Sequence, residues 1–566
     1  MHKLHFKKFA AFLMAVSLSS TAIFPAMADP GPGVAAWSQV GGNYISSDGS
    51  VIQGALAKGI DVSKYQTNVN WPAVKSDGIE FVMVRVLGQN GVDEQFASHA
   101  AGAAAAGLKL GVYAYAYAET TQAAVEEANK TIEAIMDYPV SYPVVYDVES
   151  ALLSHLTPSQ LADNINAFCS TIQAAGYYPM VYSNNYWLTS KIDMSKVPYD
   201  VWVAHHSSAY SWSNPAMWQA SSTGTVNGIT GNVDINFVFK DFSQLIPANT
   251  WRTIGGEHYY YQNYRKQTGW ANDGSNWYYL DSQGRMQTGW QNMNGQHYYL
   301  RSDGVMVSGW NQIDGKTYHF TPDGVMEKGW IVVDGKTYFM NDDGTMYTGW
   351  LNRNNNYYYL TEDGSMASGW LQLGNTWYYL TQEGIMLTGW QTIDGNRFYL
   401  SDNGAMHTGW LDYSQNRYYL NASGAMVTGW SLIDNSWYYF NGEGQQQKGW
   451  QKINDKWYYL DQEGKMVTGW YTEGANRYYL TESGAATGLT AIDGANYMFD
   501  ESGILLTGWQ FVGEIPAYFD PASGIMVAGM NLIIDGKEYS FDANGVPTEI
   551  VPETSAATDQ IPPTVQ

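Results

Sequence analysis

From residue 269 onward the chain repeats itself every 20 residues. Gly269-Trp270 is followed by Trp290, Trp310, Trp330, Trp350, Trp370, Trp390, Trp410, Trp430, Trp450 and Trp470 without a slip. A single closed core does not place its largest side chain at a fixed interval, so this half is expected to be a solenoid built from one small repeated element. Between the tryptophans run strand-like segments such as Trp277-Tyr278-Tyr279-Leu280. They are bounded by Asp314-Gly315, Asp334-Gly335 and Asp394-Gly395, dipeptides suited to the two positive-φ positions of a tight hairpin turn. Residues 251–548 therefore read as an all-β array of hairpins. A methionine four residues before most tryptophans (Met286, Met306, Met386, Met406 and others) is expected to stack one hairpin on the next. The period breaks at Leu489, Trp509 and Gly529-Met530, as expected of units that cap a solenoid. Residues 549–566 read as a disordered tail.

Stacking alone does not require so many tryptophans, and aromatic rings from consecutive units can wall a ligand site. Trp270 with Trp277, Trp370 with Trp377, Trp430 with Trp437, and Trp450 with Trp457 are the candidate boxes. Other units carry His297, Thr317, Thr337, Arg397, Arg417 or Arg477 at the second position and lack that wall.

The first part of the chain has no such period. Lys3, Lys7 and Lys8, an apolar run from Phe9 to about Phe24, and Ala26-Met27-Ala28 read as a signal peptide over residues 1–28, so the mature chain is expected outside the cytoplasm. No later run approaches the ~20 apolar residues of a membrane span. Residues 29–57 are rich in Gly, Ser and Ala and read as a linker. The lone Cys169 excludes an internal disulfide and, in a helical stretch with no histidine near it in sequence, reads as buried filler. Over residues 58–247, short β-rich runs near 58–62, 80–86, 110–117, 143–149, 179–183, 200–204, 216–219 and 233–239 alternate with helical periodicity around 93–106, 120–137 and 157–175. Eight strands with crossovers predict an irregular (β/α) barrel, with catalytic groups at the C-terminal strand ends.

The run Tyr142-Pro143-Val144-Val145-Tyr146-Asp147-Val148-Glu149 ends an apolar strand on two acids. In extended chain, residues i and i+2 share a face, so Asp147 and Glu149 can reach one reaction centre. Paired carboxylates suit cleavage of a glycosidic bond; the plainer reading is a solvated strand end capping the next helix. Asp61 in Gly59-Ile60-Asp61-Val62-Ser63 and Asp234 in Val233-Asp234-Ile235-Asn236 lie in similar β-rich runs. Tyr115, Tyr146, Tyr182, Trp202 and Trp218 are candidates for a sugar groove, although aromatics also dominate cores. His205-His206 point to opposite faces of a strand, which argues against a metal site, and no cofactor is expected.

Through Gly59 to Ser63, Tyr146-Asp147-Val148-Glu149, Trp218-Gln219 and Val233 to Asn236, residues 58–240 resemble glycoside hydrolase family 25, the Chalaropsis-type lysozymes. Two departures are Ala220 after Trp218-Gln219, where an aromatic is frequent, and His205-His206 where tyrosine is usual. The resemblance implies cleavage of the N-acetylmuramoyl to N-acetylglucosamine bond of peptidoglycan with retention. Glu149 would protonate the leaving oxygen, Asp147 would orient and stabilise the developing charge, and Asp61 and Asp234 would tune the others. The repeats resemble the choline-binding, or cell-wall-binding, repeats of Gram-positive surface proteins, and also the sugar-binding repeats of clostridial toxins. The expected partners are peptidoglycan and a choline-bearing teichoic acid or another wall carbohydrate. A net charge of −24 excludes nucleic acid as a natural ligand and gives no grip on anionic wall polymers by charge. The rival reading is a catalytically silent adhesin or a carbohydrate-binding repeat protein.

Overall fold

The computed structural model describes residues 35–552; the expected signal peptide over 1–28 and most of the expected tail, 553–566, lie outside the described residues. Contacts divide the chain into two units, one ending at Glu327 and the other beginning at Lys328. The first unit contains a closed barrel of eight strands: β1 Ala57–Val62, β2 Phe81–Gly88, β3 Lys109–Tyr115, β4 Val140–Asp147, β5 Pro179–Asn184, β6 Asp200–Ala204, β7 Met217–Gly224 and β8 Val233–Val238. Every strand expected from the sequence is present. Neighbours pair in chain order, and β1 closes the ring by pairing with both β2 and β8.

The strands alternate faces as extended chain must. Tyr113, Val145, Met180, Tyr182, Trp202 and Met217 fill the barrel, whereas Val112, Val144, Tyr146, Val181, Val203 and Trp218 belong to the outer core. The helices over that outer layer are α1 Trp71–Ser76, α2 Phe96–Ala105, α3 Thr121–Ile135, α4 Pro158–Ala174 and α5 Asn185–Ser190. Thr157 and Gln160 form a reciprocal capping box at the start of α4, with Pro158 in its first turn. Helices α1 and α5, each six residues long, escaped the sequence reading because so short a segment shows no helical period. Cys169 on α4 is fully buried, and burial pushes its thiol up, as fits apolar filler.

The seven strands β1 to β7 run parallel, and β8 runs antiparallel to both neighbours. This strand departs from a regular β/α alternation. Only eight residues separate β7 from β8, too few for the helical crossover that a parallel partner requires.

The 29–57 stretch is not a linker where it is described. Gln39–Val40 and Asn43–Tyr44 form a two-stranded ribbon. Trp37 stacks edge-on to Trp218, and Tyr44 lies 5.4 Å from Phe237, so the ribbon covers the outer face of β7 and β8. Its apolar anchors, Trp37, Tyr44, Ile45 and Ile52, were hidden among small polar residues.

The first hairpin, Thr250–Ile254 with Glu257–Gln262, docks on the barrel. Arg252, 2% exposed, is sandwiched between the rings of Tyr177 (3.9 Å) and Tyr261 (4.1 Å). The Tyr261 hydroxyl donates to the Met136 carbonyl at 2.9 Å, and Lys266 pairs with Asp137 at 2.6 Å. Later repeats in both units share one design. Asp314-Gly315, Asp334-Gly335 and Asp394-Gly395 have both turn residues at positive φ, between 49° and 79°, the turn that their sequence predicts. The methionines stack as expected: a Cβ on Gly304 would meet Met286 Sδ at 2.3 Å, and one on Gly404 would meet Met386 Sδ at the same distance. Each thioether thus fills the space above the glycine of the following repeat. At the end of the described chain, Pro547–Ile550 adds a third strand to the last hairpin, so Glu549 and Ile550, expected in the tail, are paired.

Candidate active site and aromatic boxes

The reversed strand decides the make-up of the barrel mouth. Asp61 lies near the C-terminal end of β1, Asp147 ends β4, and Glu149 follows two residues later. Asp234 is the second residue of β8 and pairs in register with Asp61, so an N-terminal strand position reaches the rim where the parallel strands end. The four acids are close enough to perturb one another. Burial holds Asp61 well above the usual carboxylate range, and the Asp234 charge adds to it. Asn236 Nδ2 (2.8 Å) and Gln219 Nε2 (2.9 Å) both donate to Asp61 Oδ2 and oppose the shift. A side-chain hydrogen bond links Asp61 to Asp234, whose carboxyl is itself raised by burial. Burial likewise raises Asp147, reinforced by Glu149 and Asp61 and opposed by Arg85.

Asp61 and Asp147 are buried, whereas Asp234 and Glu149 are partly exposed, and of the two it is Glu149 that opens onto a cleft. It lines an open cleft of about 340 Å³ with Tyr182, Asn184, Asn185, Tyr186, His205 and His206. Burial raises its carboxyl, and the Asn184 amide, donating to Oε2 at 3.2 Å, partly offsets this. Three buried polar atoms in this region lack a hydrogen-bond partner: Asp147 Oδ1, His205 Nδ1 and Asn185 Oδ1. Such atoms are rare in folded proteins.

A second line of polar residues supports the acids. Tyr182 donates its hydroxyl to Gln219 Oε1 at 3.0 Å, and Trp202 Nε1 donates to Asn236 Oδ1 at 2.9 Å. His206 Nε2 stands 3.0 Å from the same Gln219 oxygen, which can only accept, so the proton is on Nε2. Of the five aromatics expected in the groove, Tyr115 and Tyr182 are at the site: the charges of Asp147 and Glu149 act on both. Trp202 lies one layer below, its ring 4.6 Å from that of Tyr182. Tyr146 and Trp218 do not belong to the groove. Tyr146 stacks on Phe168 at 4.0 Å and donates to Glu127, while Trp218 packs on Phe237 and donates to the His205 carbonyl. Strand alternation required this, since Tyr146 adjoins Asp147 and Trp218 adjoins Gln219. The working residues Gln219, Asn236, Asn184 and His206 went unassigned because a lone amide or imidazole carries no signal until its partners are known. Among the described residues, no three His, Cys, Asp or Glu side chains are grouped to hold a metal ion.

In the repeats, Trp370 and Trp377 stand at 6.2 Å and 85°, Phe398 of the next unit lies 4.9 Å from Trp370, and Met406 completes a cavity of about 390 Å³. Trp270, Trp277, Tyr298 and Met306 line a matching cavity of about 270 Å³. Trp430 has Trp437 at 6.5 Å and Tyr458 at 4.8 Å. The Met406 amide donates to the Trp377 carbonyl at 2.7 Å, so the residue expected only to stack also forms a wall of the site. The fourth pair, Trp450 and Trp457, stands at 6.3 Å but is built differently: Trp450 Nε1 donates to Glu473, and Trp457 faces a polar cleft with Ala485 and Ala486. Tyr357, 45% exposed and seven residues after Trp350, is a further aromatic at the second position.

Clustered carboxyls over a barrel mouth are the equipment of glycoside hydrolysis, here followed by an aromatic repeat array. Residues 60–229 match the family Glycosyl hydrolases family 25. Segments 307–349, 387–429, 427–461 and 448–487 match the choline-binding repeat, and 268–286, 288–306, 348–366 and 368–386 match the putative cell wall binding repeat. The chain thus joins a family 25 domain to choline-binding-type repeats. Lysozyme M1 of Streptomyces globisporus is 27% identical over 206 residues, 32% of this chain and 66% of that protein. The autolytic lysozyme of Clostridium acetobutylicum is 27% identical over 186 residues, 32% of this chain and 55% of that one. The chain therefore spans less than two thirds of either relative. Choline binding protein F of Streptococcus pneumoniae is 28% identical, covers 46% of this chain and 99% of its own, and superposes with a TM-score of 0.32.

Proposed function

We propose that this protein is a secreted peptidoglycan hydrolase that cleaves the N-acetylmuramoyl to N-acetylglucosamine bond with retention and is held on the bacterial wall by its repeats. In this reading residues 58–247 are the catalytic barrel, residues 251–548 the wall-binding array, and residues 1–28 the export signal. The observation that carries it is the four-acid rim with one member, Glu149, lining the open cleft. Burial raises all four neighbouring carboxyls, so the rim favours their protonated forms more than free carboxylates would. Glu149, raised by burial yet open to the cleft, is placed to give a proton to the leaving oxygen. Asp147, deeper and with an unsatisfied Oδ1, faces the developing positive charge and orients the substrate's acetamido group. Asp61 and Asp234 share a proton and hold the site's polarity. Mass spectrometry of fragments from purified peptidoglycan tests the bond: muramic acid at the new reducing end is expected, and glucosamine there would overturn the assignment.

The ligand proposed for the boxes at Trp270, Trp370 and Trp430 is a quaternary ammonium group, as on choline-bearing teichoic acid. The two perpendicular indoles of the Trp370 box and of the Trp430 box, each pair with a third ring across the mouth, suit a cation, and a desolvated cation–π contact is worth about 2 kcal/mol. Free choline is expected to elute the protein from choline-bearing walls where equal sodium chloride does not. Trp370→Ala with Trp377→Ala is expected to weaken retention more than Trp330→Ala, whose unit has Thr337 as its second wall. Elution by wall oligosaccharides and not by choline would show that the rings stack on sugars.

A further inference from the structure

Three repeats carry arginine where the open boxes carry their second tryptophan, and in all three the side chain adopts one pose. Arg397 Cζ lies 4.7 Å from the Trp390 ring centre, Arg417 4.4 Å from Trp410, and Arg477 4.7 Å from Trp470. The remaining wall is unchanged: Trp390 to Tyr418, Trp410 to Tyr438 and Trp470 to Tyr497 are each 5.0 Å, against 4.9 Å for Trp370 to Phe398. The indole that would face a bound ammonium group is therefore covered by the chain's own guanidinium. Neither Arg397 nor Arg477 has a carboxylate partner among the described residues, and Arg417 reaches Asp412 only at 3.4 Å. What holds Arg397 and Arg477 is the ring, and Arg417 has Asp412 besides.

We infer that Arg397, Arg417 and Arg477 are built-in ligands that close three boxes to external ammonium groups. The array then contacts the wall through a sparse set of open sites and not through every repeat. This rests on the reading of the open boxes as quaternary-ammonium sites. A tethered cation competes at high effective concentration and loses no translational freedom on binding, so a free ammonium ligand in the millimolar range does not displace it. The guanidinium suits the role because it is flat, permanently charged and more weakly hydrated than an ammonium group.

The test is the number of choline molecules bound per chain, measured on the full-length protein by equilibrium dialysis with labelled choline. Arg397→Trp rebuilds Trp390, a second indole, Tyr418 and Met426 in the pattern of the Trp370 box and is expected to add one bound choline per chain. In the otherwise unchanged protein, Trp390→Ala is expected to leave the number unchanged, whereas Trp370→Ala lowers it by one. If wild type binds choline and Arg397→Trp folds but gains no site, or if Trp390→Ala loses one, the built-in ligand is refuted while the open boxes stand. If wild type binds no choline, the ammonium reading falls and the plug falls with it. Should Arg397→Trp not fold, the Trp390→Ala comparison decides alone.

Discussion

Glu149→Gln separates proton donation from every other contribution of that side chain. Glutamine keeps the size of the glutamate and an oxygen to accept from the Asn184 amide, which donates at 3.2 Å, so the cleft should keep its shape. What disappears is the proton. General acid catalysis typically contributes about 10²–10⁴-fold, or about 2.7–5.5 kcal/mol of barrier at 1.36 kcal/mol per decade. The loss should depend on the leaving group, because a sugar alkoxide needs protonation and a stable phenolate hardly does. Release of reducing ends from purified peptidoglycan is expected to fall at least ~100-fold, while hydrolysis of an activated aryl glycoside falls far less. The wild-type rate on peptidoglycan should decline as pH rises through the raised value of Glu149, and the variant's residual rate should lack that alkaline limb. More than about a tenth of wild-type activity retained, or equal losses on the two substrates, would refute the role of Glu149 as the acid.

Asp147→Asn should cost nearly as much activity yet stabilise the barrel near neutral pH. Burial raises the folded-state value of Asp147, so its contribution is fully present below the unfolded value near 4 and lost as pH climbs through the folded one. The Tm advantage of the variant should therefore be small at pH 4 and widen toward pH 8; a gap independent of pH contradicts this. Gly404→Ala forces a Cβ to within 2.3 Å of Met386 Sδ at φ +81°, whereas Gly409→Ala at φ +84° meets nothing within 4 Å. Both suffer about 1–2 kcal/mol of backbone strain, and only the first should lose more, read as a lower denaturation midpoint; equal losses would remove the methionine from the stacking account. Truncation after residue 287 should retain activity on soluble fragments and lose most of it on intact walls. Truncation at 248 should in addition lower the barrel's Tm, because it removes Arg252 and Tyr261 from Tyr177; identical Tm values would make that sandwich dispensable.

The parts of this molecule legible in the sequence are those where a local rule acts alone. The 20-residue period, the Asp-Gly turns and the eight apolar runs each follow from spacing or backbone preference. The cluster of Asp61, Asp147, Glu149 and Asp234 was legible because acids that end or interrupt apolar β-rich runs violate the usual pattern. What escaped needed a partner. Gln219 and Asn236 acquire their roles only once Asp61 lies between them. Tyr146 and Trp218 were misplaced by chemistry, since an aromatic beside an acid suggests a sugar groove, although alternation already turned them outward. Arg397 read as a missing wall because the indole it covers lies seven residues away, across the hairpin turn. The ribbon at 39–44 was lost because its few anchors sit among glycines and serines.

The reversed direction of β8 also governs how such a chain can be enlarged. A final parallel strand would deliver the polypeptide to the rim where Asp61, Asp147 and Glu149 gather. Because β8 enters at that rim, it leaves beside Ala57 and Met217, at the opposite end of the barrel. The next ordered contacts, at Met136, Asp137, Gly176 and Tyr177, follow the C-terminal ends of α3 and α4 and share that end. The exit route therefore keeps the first hairpin clear of the mouth. For the polymer substrate proposed above, a hairpin docked at that end leaves the mouth open on both sides, as cleavage in mid-strand requires.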